Sequence, residues 1–237
     1  MNRIGVVIPA YNESENIEIL VKLILKEIKC QIIIIDDSTD DKTKIIIKKK
    51  RLKVLYIQRN KKLGRGSAVL LGLKKMLKKK IDIFIEMDAD LSHRPSELKR
   101  NINFFLKTSS DLLIASRYVK NSKIINWPIS RTILSSFSNI VARFLLKIPV
   151  TDFTNGYRIY SKRAVLLIIK KCGRVGDQFI ILSEIITVLF VNAYKINEIN
   201  TIFINRIRGT SSVNIKLIIN SITGLFKILL NKKSYKL

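Results

Sequence analysis

Strand-like and helix-like segments alternate along the first half of the chain. Runs rich in Ile, Val and Phe predict strands at about residues 3–9, 31–36, 53–58, 81–87 and 111–116. Between them, apolar residues recur at helical spacing and predict helices at about residues 15–28, 40–50, 66–79 and 95–107. Strands that alternate with helices are typical of βαβ units on a mostly parallel sheet. We therefore expect an α/β fold with helices flanking the sheet, and a sheet that is complete near residue 120.

Two later segments are amphipathic. In residues 129–148 the apolar face consists of Ile129, Ile133, Phe137, Ile140, Val141, Phe144, Leu145 and Ile148. In residues 215–230 it consists of Ile215, Ile218, Ile219, Ile222, Leu225, Phe226 and Leu229. Each face either packs on the core or lies on a membrane surface, and the pattern leaves both interpretations open. No run reaches the ~18–20 apolar residues of a membrane-spanning helix. We divide the chain into a domain of residues 1–213 and a basic, amphipathic C-terminal tail of residues 214–237.

The chain is strongly basic, with 44 Lys and Arg against 18 Asp and Glu and a net charge of +26. This excess favours anionic partners, namely nucleic acid, anionic lipid or a phosphorylated substrate, although a general bias toward Lys and Ile explains it equally well. No helix-turn-helix, RNP or zinc signature is present, so nucleic-acid binding is the weaker alternative. Cys30 and Cys172 lack metal-ligand spacing, and the first residues lack signal-peptide features, which predicts a cytoplasmic protein with reduced thiols.

Two carboxylates one residue apart follow the predicted strand at residues 81–87. Ligands of open α/β sheets bind beyond the carboxyl ends of the strands, so Asp88 and Asp90 are placed for chemistry. Mg²⁺ uses one or two carboxylates together with substrate phosphates. The pair therefore suggests a metal ion that holds a diphosphate, although Asp is also common in turns.

Polar residues follow the first two strands at the same edge of the predicted sheet. Pro9, Tyr11 and Glu13 lie at the end of the first strand. Asp37 ends the second, where a carboxylate accepts hydrogen bonds from a nucleobase or a ribose, or caps the next helix. We prefer the ligand-binding interpretation for Asp37.

Two further features receive structural interpretations. The segment Gly64-Arg65-Gly66-Ser67 lacks the Gly-Lys-Ser/Thr ending of a phosphate-binding loop, and we expect it to start a helix close against the sheet. His93, the only histidine, has no Ser or Cys partner for a catalytic triad. We expect it either to have a structural role in the loop or to support the residues that bind a ligand.

Taken together, these segments resemble glycosyltransferase family 2 with its GT-A fold. The resemblance rests on VVIPAYNE at the first strand, IIIIDDSTDD at the second and DAD at the fourth. Three later segments, SRYV, NWPISR and DFTNGYRIYS, resemble the dolichol-phosphate mannosyltransferase subgroup. The resemblance covers roughly residues 3–213.

The resemblance implies transfer of mannose from GDP-mannose to dolichyl or polyprenyl phosphate, with inversion and with Mg²⁺ or Mn²⁺ as cofactor. It implies metal binding by Asp88 and Asp90, with Ser92 as a tentative third ligand. The residues that it assigns to the nucleotide sugar are Pro9, Tyr11, Glu13, Ile35, Asp37, Asp88, Ala89, Asp90, Arg117 and Arg206. Glucose or another sugar from a UDP donor is the alternative.

A polyprenyl phosphate needs no general base, because its oxygens are ionised at pH 7. It does need cations, and arginine suits phosphate oxygens. Arg131 and Ser135 lie four residues apart on a predicted helix and therefore share a face. We assign Arg117, Arg131, Ser135 and Arg206 to the acceptor phosphate, and Arg117 and Arg131 to catalysis together with the acidic pair.

Two positions depart from the subgroup. Ser92 stands where the subgroup usually carries Gln, and Ser212 stands where it usually carries Lys, which leaves the identity of the nucleotide sugar open. The lipid acceptor and the basic tail imply peripheral association with the cytosolic face of an anionic membrane. Whether a small membrane subunit is needed as a partner also stays open.

Overall fold

The computed structural model describes residues 2–205 and 215–237, with side chains in the last helix from Thr223 onward. The strands are β1 Ile4–Ala10, β2 Gln31–Asp36, β3 Leu55–Gln58, β4 Ile83–Glu86, β5 Leu112–Ser116, β6 Lys123–Ile125, β7 Arg158–Ser161, β8 Ile196–Asn200 and β9 Ile202–Ile204. The α-helices are α1 Ser14–Glu27, α2 Lys42–Lys49, α3 Arg65–Leu77, α4 Leu98–Lys107, α5 Ile129–Leu146, α6 Lys162–Lys171, α7 Ile180–Val191 and α8 Ile215–Asn231. Short 3₁₀ turns occupy Pro95–Glu97 and Lys232–Tyr235.

The main sheet has seven strands in the order β3-β2-β1-β4-β7-β5-β8. Every pair in it is parallel except those of β7, which runs antiparallel between β4 and β5. The five predicted strands and the predicted α/β class are confirmed. The expectation that the sheet is complete near residue 120 is wrong, because β7 and β8 join it from later in the chain. Arg158 is fully buried in β7 and donates to three backbone carbonyls, so this strand lacks the apolar run that reveals the others.

Helices cover both faces of the sheet, which explains the apolar runs of the central strands. Along β1, Val7 packs into the layer formed with α3, α6 and α7, whereas Val6 and Ile8 pack into the layer formed with α1 and α4. All three side chains are fully buried. Burial of one such side chain stabilises the fold by roughly 1.5–3 kcal/mol. The two apolar layers therefore fix the register of β1 and, with it, the position of the residues that follow.

The apolar face of α5 is largely exposed. Five of its residues, hereafter the α5 stripe, have high exposed fractions: Ile129 79%, Ile133 64%, Phe137 60%, Ile140 62% and Phe144 79%. The residues of α5 that are buried are Asn139, Ala142 and Leu146, on the other side of the helix. Of the predicted face, Ile148 is buried beyond the end of the helix. Packing on the core therefore does not account for most of this apolar face.

The described part of the predicted tail packs on the main domain. Helix α8 contacts α5 and α7, and its residues Leu225 and Ile228 are buried in the main core. Tyr235 is also buried, and its hydroxyl donates to Glu184 at 3.0 Å. The predicted domain boundary at residues 213–214 lies outside the described residues. Within the described part of the chain, no helix is long and apolar enough to cross a membrane.

Candidate active site

A cleft of about 400 Å³ lies where β1, β2 and β4 end. These strands are neighbours and parallel, so the residues that follow them meet at one edge of the sheet. The cleft is lined by Pro9, Ala10, Tyr11, Asn12, Glu13, Asp37, Lys62, Gly64, Arg65, Ala68, Asp88, Ala89, Asp90, Gln178 and Phe179. Seven of the predicted donor-site residues are among them. Ile35 is fully buried within β2 and does not line the cleft.

The loop after β4 holds the acidic pair in a fixed turn. The backbone N–H of Asp88 donates to Nδ1 of His93 at 3.1 Å, so the ring proton lies on Nε2, which donates to Asn155 Oδ1 at 2.9 Å. The His93 ring stacks on Tyr157 with centroids 5.3 Å apart. Both expected roles of His93, in the loop and in support of residues that bind a ligand, agree with these contacts.

Ser92 contacts Asp90 through its backbone rather than through its side chain. Its backbone N–H donates to Asp90 Oδ1 at 3.1 Å, whereas its side chain is buried and its hydroxyl has no hydrogen-bond partner. Ser92 does not line the cleft, so the structure gives no support to its hydroxyl as a metal ligand. Its short side chain leaves the turn to be held by the backbone.

The acidic pair fits a divalent cation that is shared with a diphosphate. Asp88 and Asp90 both open into the cleft and offer the carboxylate oxygens that Mg²⁺ and Mn²⁺ accept. Among the described residues, no group of three or more His, Cys, Asp and Glu side chains is arranged to hold a metal ion. The acidic pair therefore leaves room for further ligands from substrate phosphates and water.

Arg65, the first residue of α3, pairs with the acids of β4. Its Nε donates to Asp88 Oδ1 at 2.8 Å, its Nη2 lies 2.6 Å from the same oxygen, and its Nη1 lies 2.7 Å from Glu86 Oε1. Burial disfavours the charged guanidinium, but the attraction of Asp88 and Glu86 outweighs this and raises the pKa of Arg65. Glu86 is itself held by the Tyr160 hydroxyl at 2.6 Å.

Asp37 organises the loop on the opposite side of the cleft. Its carboxylate accepts from Arg59 Nε at 2.5 Å and Nη2 at 2.8 Å, and from the backbone N–H groups of Leu63 and Gly64, each at 2.9 Å. The side chain is 5% exposed, yet the residue lines the cleft. Asp37 therefore has a clear structural role in shaping the loop, in addition to the predicted contact with the nucleotide.

The glycine-rich start of α3 packs against a later segment rather than only against the sheet. The backbone N–H of Gly66 donates to the carbonyl of Asp177 at 2.7 Å. A Cβ at Gly66 would lie 2.7 Å from Ile181 and 2.8 Å from the carbonyl of Gln178. The glycine permits this close approach, which brings Gln178 and Phe179 to the wall of the cleft.

Arg117 lies at the end of β5 in a buried ion pair with Asp152. Its Nε and Nη2 donate to the two carboxylate oxygens, each at 2.8 Å, and Nη2 also donates to Thr154 Oγ1 at 2.6 Å. Burial disfavours both charges, but their mutual attraction outweighs it, which raises the pKa of Arg117 and lowers that of Asp152. Asp88 also raises the pKa of Arg117, so the guanidinium is within electrostatic range of the acidic pair.

The predicted acceptor residues of the described chain meet around one tryptophan. The ring of Trp127 faces Arg131 Cζ at 4.1 Å and Arg117 Cζ at 5.3 Å. Arg117 also faces the Tyr118 ring at 5.4 Å, and the Tyr118 hydroxyl donates to Ser135 Oγ at 2.7 Å. We call Arg117, Tyr118, Trp127, Arg131 and Ser135 the arginine cluster.

The arginine cluster is not among the residues that line the cleft, and the role of Arg117 in the nucleotide-sugar site stays a prediction. The Arg117 guanidinium is fixed by Asp152. This residue is buried and follows none of the predicted strands, so the rule about strand ends does not identify it. Arg131 donates to Asn205 at 3.0 Å, just before the end of the described segment. Arg206, like Arg208 and Ser212, lies outside the described residues.

Several residues at the cleft were not anticipated as functional. Arg65 was visible in its glycine-rich segment but was interpreted only as part of a helix start. Arg59 has no motif around it, and its carboxylate partner lies on another strand. Gln178 and Phe179 come from far along the chain, and no spacing in the sequence links them to the strand ends. Only the packing of α3 on the segment before α7 reveals them.

The chain matches a known family and several named proteins. The family model described as glycosyl transferase family 2 matches residues 5–167. The chain is 32% identical over 214 residues to the polyprenol monophosphomannose synthase of Mycolicibacterium smegmatis, covering 88% of this chain and 80% of that protein. It is 34% identical over 235 residues to the dolichol-phosphate mannosyltransferase of Pyrococcus furiosus, covering 96% of this chain. The chain spans only 64% of the length of the Pyrococcus protein.

Solved structures share the fold at lower identity. One is the glucosyl-3-phosphoglycerate synthase of Mycobacterium tuberculosis in complex with Mn²⁺, UDP and glucosyl-3-phosphoglycerate. It has a TM-score of 0.67 and 19% identity, with coverage of 98% of this chain and 80% of that chain. Another is S. aureus TarS 1–349 with UDP-GlcNAc, with a TM-score of 0.60, 18% identity and coverage of 97% and 72%. At such identities the likeness concerns the fold alone.

Proposed function

The chain belongs to glycosyltransferase family 2 and has its GT-A fold, and on that premise we propose that it transfers mannose from GDP-mannose to a polyprenyl phosphate such as dolichyl phosphate. The observation that carries the proposal is the pairing of two sites. An acidic cleft lies at the ends of β1, β2 and β4, and a cluster of arginines lies beside it at the end of β5. Two relatives named for polyprenol- and dolichol-phosphate mannose synthesis support the choice of sugar and acceptor.

The cleft suits a nucleoside diphosphate sugar. Tyr11, Glu13, Asp37, Asp88 and Asp90 all line it. A divalent cation bound there supplies positive charge to the leaving diphosphate. Backbone hydrogen bonds to His93 and Asp90 fix the turn that holds the two carboxylates before substrate arrives.

The arginine cluster suits the acceptor phosphate. Arg131 and Ser135 lie on one face of α5, and Arg117 joins them through Trp127 and Tyr118. The ion pair with Asp152 leaves Arg117 fixed in orientation, and rigid guanidinium groups bind phosphate oxygens with little loss of entropy. In this proposal the arginine cluster brings the acceptor phosphate next to the diphosphate of the donor.

The proposed reaction is a single displacement. An ionised oxygen of the acceptor phosphate attacks the anomeric carbon of mannose, the bond from that carbon to the β-phosphate oxygen breaks, and GDP leaves with the bonding electrons. No proton has to be removed, because the attacking phosphate has already lost it near pH 7. Attack from the side opposite the leaving group inverts the anomeric centre.

The α5 stripe supports a position on the cytosolic surface of a membrane. The stripe continues along the helix that carries Arg131 and Ser135, so a lipid phosphate bound there has an apolar surface beside it. Ile140 and Phe144 line a shallow groove together with the basic residues Arg143 and Lys147. Apolar residues flanked by basic ones are typical of helices that lie in the headgroup region of anionic lipid.

The test is transfer of label into an organic-extractable product. Purified protein is incubated with Mn²⁺, polyprenyl phosphate and radiolabelled GDP-mannose or UDP-glucose. We expect extractable label from GDP-mannose, and loss of it in Asp90→Ala. The matched control is Asp82→Ala, because Asp82 lies just before β4, at its opposite end, and pairs with Arg3. Label from UDP-glucose alone would show that the donor sugar is glucose and leave the proposed acceptor unchanged. Full activity of Asp90→Ala would refute the metal site.

A further inference from the structure

Arg65 is a positively charged cleft residue in direct contact with Asp88, so its charge opposes a metal ion bound at the acidic pair. Its guanidinium is nine-tenths buried and pairs both with Glu86 and with the Asp88 carboxylate that a cation would need. A cation bound to Asp88 would bring two positive charges next to this fixed third one. Like charges this close repel each other even in a cleft that is open to solvent.

Arg65 shares its donors between two carboxylates. Its Nε and Nη2 lie 2.8 and 2.6 Å from the same oxygen, Asp88 Oδ1, and its Nη1 lies 2.7 Å from Glu86 Oε1. Because Nε and Nη2 converge on one oxygen of Asp88, one of these donors can turn to a phosphate oxygen of a ligand.

The surroundings hold Arg65 at the cleft wall. The Phe179 ring lies 5.5 Å from Cζ, and a Cβ at Gly156 would overlap the guanidinium. Glu86 is fully buried and is held by Tyr160, so it anchors Arg65 while Asp88, which is 24% exposed, faces the cleft. The guanidinium can therefore exchange Asp88 for a ligand phosphate without leaving its anchor.

We propose that Arg65 is an internal counter-ion of the metal site, which weakens metal binding until the donor diphosphate takes over its hydrogen bonds. The inference rests on the proposed donor site and adds a positioning residue and an order of binding to it. The nucleotide binds first or together with the metal ion, because the diphosphate withdraws Arg65 from Asp88. The metal ion by itself has to compete with the arginine.

The experiment measures two ligands separately, so that complexes of metal and nucleotide in solution do not interfere. Affinity for Mn²⁺ alone is measured by electron paramagnetic resonance, and affinity for GDP in EDTA by calorimetry, in wild type, Arg65→Met and Arg65→Lys. The matched control is Arg163→Met, which removes an arginine paired with Asp111 outside the cleft.

We expect Arg65→Met to bind Mn²⁺ at least about tenfold tighter than wild type and to bind GDP at least about tenfold more weakly, as for loss of one charged hydrogen bond. Arg65→Lys is expected to lie between the two, and Arg163→Met to match wild type. A purely structural Arg65 would shift both affinities in the same direction or in neither, and that result would overturn the inference.

Two outcomes separate this inference from the proposed function. If Arg65→Met fails to fold, Arg65→Gln decides, because it removes the positive charge but keeps a hydrogen-bonding side chain, and it is expected to tighten Mn²⁺ binding in the same way. Unchanged or weaker Mn²⁺ binding by that variant overturns the role of Arg65. If neither wild type nor any variant binds Mn²⁺ and a nucleoside diphosphate, GDP or UDP, the donor site itself is refuted.

Discussion

Replacement of Phe137 and Phe144 by Ser is expected to weaken binding to anionic vesicles by about a hundredfold. The two side chains belong to the α5 stripe and are 60% and 79% exposed. Full burial of one such side chain is worth roughly 1.5–3 kcal/mol. Burial of the exposed fractions in lipid would therefore contribute about 3 kcal/mol in total, and each ~1.4 kcal/mol changes the binding constant tenfold.

The change is expected to leave the fold intact, because Phe and Ser have similar helix propensities and both side chains project from the domain. Binding is measured by co-sedimentation with vesicles that contain phosphatidylglycerol and phosphatidylcholine. The matched control is Ile45→Ser with Leu166→Ser, which removes two side chains of 58% and 55% exposure on α2 and α6. Equal loss of binding in the control, or none in the α5 variant, would refute the assignment of this face to the membrane.

Three further changes test the groups behind the site. Asp152→Asn is expected to abolish transfer and to destabilise the fold by about 3–5 kcal/mol, because a buried ion pair loses one partner. A wild-type midpoint in chemical denaturation would contradict this. His93→Phe keeps the stack on Tyr157 but leaves the Asp88 N–H without its acceptor, so we expect a loss of about 1–3 kcal/mol and weaker Mn²⁺ binding, measured by thermal unfolding and paramagnetic resonance. Burial raises the pKa of Glu184, so the folded protein binds the carboxyl proton more tightly than the unfolded chain does. The free energy of unfolding therefore declines as the pH rises from about 4.5 through the raised pKa. Glu184→Gln should flatten that decline when unfolding is measured against pH, and an unchanged slope would exclude Glu184 as its source.

The parts of the site that follow parallel strands could be predicted because their position depends on one rule. Asp37 and Asp88 come directly after apolar strands, and strands of this kind end at a common edge. The cleft between them was therefore accessible from the sequence. The resemblance to a family then connected these residues to a nucleotide sugar.

The partners of these residues could not be predicted, because they depend on packing between distant segments. Nothing near Arg117 in sequence identifies Asp152 as its counter-ion, and nothing near Arg65 identifies Glu86. Strand β7 escaped notice for a similar physical reason, since its buried Arg158 is satisfied by carbonyl groups rather than by a charge pattern. The direction of the Ser92 side chain could not be predicted, because side-chain length alone does not show which way a turn residue points.

Strand β7 also determines when in folding the site can form. Arg158 pairs with Glu86 of β4 on one side and with Ile114 of β5 on the other, so this late strand sets the spacing between the acidic cleft and the arginine cluster. Neighbouring strands lie about 4.8 Å apart, which fixes the two flanking strands about 10 Å from each other. During synthesis the first 150 residues can build the nucleotide-side half of the sheet, but β4 and β5 reach their final separation only after β7 has been made and inserted. Closure of such long loops is slow, so we expect the acidic cleft and the arginine cluster to reach their final separation only after β7 has paired with both strands.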